Sequence, residues 1–382
     1  MKFIHLSDLH IGKRVNEFSM IEDQKYILKQ ILRLLETEQP DGVILAGDIY
    51  DKQIPSAEAV QVFDDFLTCL AVPHRAVFVI SGNHDSAERI AFGARLMSGR
   101  GVYLSPAYEG ETKMVSLSDE YGEVCVYLLP FIKPATVRHA FPDETIESYD
   151  DAAAAAVRHM NVDPQKRNVL AAHQLVTGAK RCDSEVFSVG GVDNVAVTVF
   201  DGFDYVALGH IHSPQSVCRE TVRYCGTPLK YSFSEAEQEK SMTVLEMKEK
   251  GNIHIREIPL VPLRDMRRIK GKYLEITELS FYQGLNREDY YQITLTDEED
   301  ILDGVQKLRV IYPNLMRLEY DNRRTRENQI IEVAEAVEQK SELELFKAFY
   351  ELQNNQPMSD QQLSLSHELV RDIMEKPESV SR

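Results

Sequence analysis

Five short apolar runs in this chain each end in a residue able to ligate a metal. Phe3-Ile4-His5-Leu6 leads to Asp8 and His10, and Val43-Ile44-Leu45-Ala46 to Asp48. Val77-Phe78-Val79-Ile80 leads to Asn83 and His84, Val169-Leu170-Ala171-Ala172 to His173, and Tyr205-Val206-Ala207-Leu208 to His210 and His212. Runs of this length and composition read as buried strands of a sheet covered on both faces. Ligands of such sheets gather beyond the carboxyl ends of the strands. The pattern therefore predicts two Asp, one Asn and four His at one edge, with His84 beside them.

That set suffices for two divalent ions. Carboxylate, amide and imidazole donors without thiolate suit Mn²⁺, Fe²⁺ or Zn²⁺, and exchangeable waters favour Mn²⁺. Two such ions about 3.5 Å apart repel by roughly 19 kcal/mol at an effective dielectric near 20, so an anion must bridge them. Asp48, on the Gly47-Asp48 loop, is the candidate bridge. Against about four positive charges, Asp8 and Asp48 leave room for one hydroxide and one phosphodiester. Asp8 with His10, and His210 with His212, stand two residues apart. In extended chain such pairs share a face. Gly82 and Gly209 precede Asn83 and His210, where close backbone approach is expected. His84 follows a ligand directly, points past the metals, and can donate a proton to a leaving alkoxide. Asp51 is the candidate to orient it. The remaining histidines (His5, His74, His139, His159, His254, His367) are assigned to surface or packing.

Composition narrows the setting. The 382 residues carry a net charge of −18, which argues against a broad nucleic-acid-binding surface but not against a locally positive metal site. Basic residues cluster at Arg264, Arg267, Arg268 and Lys270, and again at Arg323, Arg324 and Arg326. The five cysteines form no CxxC pair, so a disulfide framework or zinc ribbon is not expected and a reducing cytoplasm fits. No apolar run reaches membrane-spanning length, and the first residues lead straight into a strand rather than a secretory signal.

Strands alternate with helical stretches, such as 22–38 and 57–70, through residues 1–258, which gives an α/β sandwich. Pro259-Leu260-Val261-Pro262 marks a boundary. Residues 259–324 read as a small α/β cap: strand 266–270, helix 273–282, strand 290–296, helix 301–312, strand 316–320. From 325 to 382 the pattern is a helical tail, with capping boxes at Ser341/Glu344 and Ser359/Gln362. Its apolar stripes are Leu345, Phe346, Phe349 and Leu352, then Leu363, Leu369, Val370, Ile373 and Met374.

Asp8-x-His10, Gly47-Asp48, Gly82-Asn83-His84-Asp85, His173 and Gly209-His210-Ile211-His212 together resemble the calcineurin-like metallophosphoesterase superfamily. Ser7-Asp8-Leu9-His10-Ile11-Gly12, Ala46-Gly47-Asp48-Ile49-Tyr50-Asp51 and Val222-Arg223-Tyr224-Cys225-Gly226-Thr227-Pro228 resemble, more narrowly, the SbcD family of nuclease subunits. The resemblance implies a four-layer α-β-β-α sandwich with a capping domain and a partner-binding tail. It implies one metal held by Asp8, His10, Asp48 and His212, a second by Asp48, Asn83, His173 and His210, and His84 as catalytic histidine. It further implies a Mn²⁺-dependent 3'-5' exonuclease and endonuclease acting on double-strand DNA ends and hairpins in repair and recombination. The partner would be the SbcC ATPase, docked through the C-terminal helices, with homodimerisation through the nuclease domain. No GxxxxGK[ST] phosphate loop occurs here, so ATP hydrolysis belongs to that partner.

Two rival readings share the motif. A phosphatase or small-substrate phosphodiesterase would use the same metal core but needs neither cap nor tail. A scaffold without catalysis, bridging DNA to an ATPase, would be marked by a missing ligand, and none is missing.

Overall fold

The computed structural model describes residues 1–72, 74–185 and 193–322, with Thr325, Phe346, Lys347, Tyr350, Met358, Ser359 and residues 361–366. The apolar runs are parallel strands of two six-stranded sheets. In the first, Lys2–Leu6, Gly42–Ala46, Ala76–Ile80 and Val102–Leu104 lie parallel in that order. Ser241–Met247 and Ile253–Pro259 extend its other side antiparallel. In the second, Arg219–Tyr224, Tyr205–Gly209, Arg167–His173 and Gly122–Leu129 are parallel. Gln215–Val217 and Lys113–Asp119 form its antiparallel edges.

Side-chain alternation along each strand builds three apolar layers. Ile4 and Leu6 face the helices Ile21–Glu38 and Ala57–Leu70, which bring Ile27, Ile31, Leu35, Phe63 and Phe66. Phe3 faces the other way and meets Ile44, Phe78, Val126, Val169, Tyr205 and Ala207 between the sheets. The outer face of the second sheet is covered by Pro134–Ala140 and Tyr149–His159. In the latter, Ala152, Ala153, Ala155 and Ala156 are all buried, and their small size lets the helix lie close. Its start is fixed by a reciprocal Ser148/Asp151 capping box. Each fully buried Leu, Ile or Phe contributes about 1.5–3 kcal/mol. The result is an α/β sandwich, as the alternation of strands and helices predicts, in the four layers that the family resemblance implies.

His5 lies between the sheets, with Nδ1 3.0 Å from the Tyr205 hydroxyl and Nε2 3.2 Å from the Leu208 carbonyl oxygen. Register brings the strand ends level: Leu6 opposite Leu45, Ala46 opposite Ile80, and Gly209 opposite His173. The loops that follow therefore emerge side by side.

Strands Met266–Gly271, Tyr290–Leu295 and Leu315–Tyr320 form a three-stranded sheet with Tyr290–Leu295 central. The expected helix 273–282 is instead two turns, Tyr273–Ile276 and Leu279–Tyr282. Thr277 donates its hydroxyl back to the Tyr273 carbonyl at 2.8 Å, and Glu278 is extended (φ −70°, ψ 137°). A hydroxyl that competes for the helix carbonyls favours such a break. The expected helix 301–312 shortens to Gly304–Arg309, because Asp303 takes a left-handed φ of 55° before it and Pro313 follows.

The chain divides into two compact units. One comprises Met1–Arg268, Leu285–Gln292 and Arg309–Arg317. The other comprises Ile269–Gly284, Ile293–Leu308 and the described residues from Leu318 onward. In the tail, the Ser359/Gln362 capping box forms: Ser359 N–H donates to Gln362 Oε1 at 2.9 Å, and Gln362 N–H to Ser359 Oγ at 3.4 Å. The Ser341/Glu344 box lies outside the described residues, as do Arg323, Arg324, Arg326, His367 and most of both apolar stripes.

Candidate metal centre

The backbone at the strand ends is strained. Asp8, His10 and Asp48 take left-handed φ values of 52°, 44° and 49°, and His210 reaches 103°. Non-glycine residues held there cost about 1–3 kcal/mol each and need support from their surroundings. Hydrogen bonds between loops supply it. Asp8 N–H donates to Gly47 O, His10 N–H to Asp48 O and Ile11 N–H to Ile49 O, each at 2.9 Å. His210 N–H donates to Asp8 Oδ1 at 3.0 Å, and the Gln24 amide donates to His10 O at 2.8 Å. Gly82 and Gly209 are required for close approach rather than for a left-handed turn. A Cβ on Gly82 would sit 2.1 Å from Asp48 Oδ1, and one on Gly209 would sit 1.9 Å from Ala46 O.

All seven residues singled out as ligands converge. His10 Nε2 and His212 Nε2 are 3.1 Å apart, and His10 Nε2 is 3.7 Å from Asp48 Oδ2. Asp8 offers a carboxylate oxygen within 4.8 Å of the His10 and His212 nitrogens. On the other side of Asp48, His173 Nε2 is 3.4 Å from Asp48 Oδ2 and 3.0 Å from Asn83 Oδ1. His210 Nδ1 is also 3.0 Å from Asn83 Oδ1. Asp48 thus faces both groups. The donor chemistry fits cations. His173 donates its Nδ1–H to Ala46 O at 2.8 Å, and its Nε2 faces two oxygen acceptors. Such a nitrogen needs either a proton or a metal ion between it and those oxygens.

Electrostatics without bound ions shows the same tension. Burial disfavours charge on Asp8, and the neighbouring Asp48 adds to this, raising its carboxyl to about 6 despite the opposing His173 and His212. Burial also opposes charge on His173, yet the Asp48 carboxylate outweighs it and lifts the imidazole to about 9. Asp48 itself is held below the usual carboxylate range, its burial overcome by His173 and His10. Burial lowers His210 to about 3 and takes His10 well below its ordinary value. Ionised Asp48 with neutral His10 and His210 suits ligation, whereas His173, and Asp8 in part, would have to release a proton to a bound cation.

His84 stands beside this cluster, half-buried, its ring 4.9 Å from that of His10. Its N–H donates to Asp48 Oδ1 at 2.9 Å. Asp51 meets it, but through its backbone carbonyl, which accepts from His84 Nδ1 at 3.0 Å. The Asp51 carboxylate instead accepts from Lys13 Nζ at 2.8 Å and lies 3.7 Å from His10 Nδ1. The expected side-chain orienter is therefore a main-chain one.

Several supporting residues escape a reading of the sequence. Asp85, buried, accepts N–H bonds from Ile49 (3.0 Å), Tyr50 (2.9 Å) and Gly82 (2.9 Å), tying two metal loops together. Its place directly after His84 is the one available signal. Gln24 and Tyr231 hold Leu9 O, and Ser184, Glu185, Glu235 and Lys240 surround His212. These partners lie far away in sequence and no motif marks them.

Residues 1–214 match the calcineurin-like phosphoesterase family, and residues 262–354 match a domain described as the type 5 capsule protein repressor C-terminal domain. The SbcD component of the SbcCD nuclease of Staphylococcus epidermidis is 35% identical over 322 residues, spanning 83% of this chain and 85% of that protein. The chain belongs to the SbcD family of calcineurin-like phosphoesterases. A solved dimetal phosphatase from Danio rerio aligns at 11% identity and a TM-score of 0.42, covering 68% of this chain and 96% of its own. Membership in the SbcD family supports a metal-dependent phosphodiester hydrolase with a nuclease role. Among the described residues no helix is long and apolar enough to cross a membrane.

Proposed function

We propose that this chain is a Mn²⁺-dependent DNA nuclease subunit that acts with the SbcC ATPase on double-strand ends and hairpins, in the reducing cytoplasm. The observation that carries the reading is the convergence of Asp8, His10, Asp48 and Asn83 from the first sheet with His173, His210 and His212 from the second, with His84 beside them. Asp8, His10, Asp48 and His212 would hold one ion, and Asp48, Asn83, His173 and His210 the other, with Asp48 common to both sets. Mixed oxygen and nitrogen donors without thiolate favour Mn²⁺. The chemistry supplied by ions held there would be activation of a water and neutralisation of phosphate charge.

The chain's own groups do the rest. With Nδ1–H given to the Asp51 carbonyl, His84 keeps Nε2 for the substrate. Protonated, it donates from Nε2 to the leaving oxygen, a role worth about 10²–10⁴ in rate. A cavity of about 190 Å³ opens beside Asn83 and His210, lined by Phe131, Tyr149 and Lys133. Two aromatic rings and a lysine suit the base and phosphate of a nucleotide. All five cysteines are free, which suits a reducing compartment.

Partner contacts follow from surface chemistry. Ile54, Val60, Phe92 and Leu96 are exposed at 73%, 45%, 83% and 85% around helices Ala57–Leu70 and Ala94–Met97. Exposed apolar side chains such as these are the surface chemistry by which a homodimer through the nuclease domain would form. Residues 259–324 act as the cap and 325–382 as the segment that docks on SbcC. The first basic cluster contributes less to DNA binding than its composition promises. Arg264 pairs with Glu22 and Asp23, Arg267 with Asp289 and Lys270 with Asp321.

The test is cleavage of hairpin and linear duplex DNA with Mn²⁺, with and without SbcC and ATP, beside a chromogenic small diester. Diester turnover without DNA cleavage under any of these conditions would replace the nuclease reading with a small-substrate phosphodiesterase. Absence of bound manganese would replace it with a scaffold.

A further inference from the structure

Behind His212, on the side away from His10, stands a buried group that family motifs do not include. Cys182, His212 and Glu235 offer donor atoms all within 4.8 Å of one another, a spacing that would itself suit a metal ion. An ammonium already neutralises that carboxylate. Lys240 Nζ donates to Glu235 Oε2 at 2.6 Å and to His212 O at 2.8 Å, with Lys240 and Glu235 both buried. The Cys182 thiol donates to Glu185 Oε1 at 3.3 Å, and its sulfur lies 3.1 Å from Ser184 Oγ. The cluster is therefore a support, not a third metal site.

Its connectivity fixes a proton. Ser184 Oγ donates to Glu235 Oε1 at 2.5 Å. Glu235, ionised in its pair with Lys240, can only accept, so the single hydroxyl proton is committed to it. Ser184 Oγ lies 2.6 Å from His212 Nδ1 and has only lone pairs left to offer there. His212 must donate from Nδ1–H, which leaves the Nε2 lone pair free on the His10 side. The ring's backbone is anchored separately, since His212 N–H donates to Glu185 Oε1 at 2.8 Å. His10 has no equivalent device: among the described residues its Nδ1 has no hydrogen-bond partner.

We propose that Ser184 and Glu235 are positioning residues that lock His212 in its ligating tautomer and thereby set the affinity of the ion it shares with His10. This rests on the two-ion reading above. Outer partners of metal-binding histidines are worth about 10–100-fold in metal affinity.

The test is calorimetric titration of metal-free full-length protein with Mn²⁺, followed by electron paramagnetic resonance at saturation. Ser184→Ala should weaken one of two binding events about 10–100-fold and spare the other. At intermediate Mn²⁺ it should show isolated-ion resonance where the wild type shows a coupled pair. Ser184→Thr, which restores the hydroxyl, should restore the affinity. Metal-free melting temperatures should fall modestly in Ser184→Ala, from the buried hydrogen bonds it removes, and recover in Ser184→Thr. Two wild-type binding events in Ser184→Ala would overturn the proposal. So would equal weakening of both events, or a loss that Thr does not rescue and that tracks a lowered melting temperature. Should Ser184→Ala not fold, Glu235→Gln carries the same expectation and the same refutation. A wild-type protein that binds no Mn²⁺ would instead remove the two-ion reading.

Discussion

The backbone carbonyl of Asp51 lies 3.0 Å from Nδ1 of His84, while the Asp51 carboxylate turns to Lys13 at 2.8 Å. The tautomer of His84 is thus held by the main chain and does not depend on the side chain at position 51. His84→Gln should lose about 10²–10⁴ in cleavage rate while both ions and DNA still bind. Asp51→Asn breaks the pair with Lys13 but leaves the carbonyl that holds the His84 ring, so its rate should fall less than about tenfold. Single-turnover cleavage with saturating Mn²⁺ measures both. A collapse of activity in Asp51→Asn equal to that of His84→Gln would return the orienting role to the carboxylate.

Asp48 is the common element of the two ligand groups, and it also accepts the His84 N–H at 2.9 Å. Asp48→Asn removes the one negative charge that faces both ions, which otherwise repel by roughly 19 kcal/mol at 3.5 Å and an effective dielectric near 20. The expected result is fewer than one manganese per chain after dialysis and no detectable DNA cleavage. Two ions retained at full occupancy would show that the bridge is supplied by something else.

Removing residues 325–382 tests the docking role given to the tail. The truncated protein should keep Mn²⁺-dependent cleavage and no longer co-purify with SbcC. Retained co-purification would move the interface elsewhere, and insolubility would mean that the tail packs on its own unit.

That these residues follow strands was legible, because strand ends of a buried parallel sheet open on one edge. The runs predict a single edge, whereas the strands fall in two sheets whose ends meet face to face, a pairing that no run of residues records. What lay outside the sequence was connectivity between loops. Ser184 reaches His212 across 28 residues, and Tyr231 reaches Leu9 across 222. Such contacts leave no periodicity. The broken helix at Thr277 was hidden for a local reason: its hydroxyl competes with the backbone, an effect smaller than the apolar pattern that predicts a single helix.

Asp85 ties the loop after Gly42–Ala46 to the loop after Ala76–Ile80 through three buried N–H groups. Asp85→Asn keeps the shape but replaces one oxygen by a donor facing donors. At least one N–H is then left unsatisfied, at about 1–3 kcal/mol. Metal-free protein should melt several degrees lower, at about 2–4 °C per kcal/mol for a unit of this size. Thermal denaturation by circular dichroism checks this. An unchanged melting temperature would mean that water or a rotated amide satisfies the loops.

His5 gives the protein a pH dependence separate from the metals. Burial, aided by the Arg223 charge, lowers its imidazole to about 3 from an ordinary value of 6.5. Between those two values the unfolded chain holds a proton that the folded chain does not. Stability from this residue is therefore complete above pH 6.5 and erodes as pH falls, by about 1.4 kcal/mol per pH unit, until about pH 3. His5→Gln keeps hydrogen-bonding capacity toward Tyr205 and Leu208 but cannot titrate. From pH 7.5 to pH 5 the wild type should lose about 2 kcal/mol more than the variant, measured by urea denaturation of metal-free protein. Parallel losses in the two proteins would place a proton on His5 in the folded state and contradict its burial as a neutral ring between the sheets.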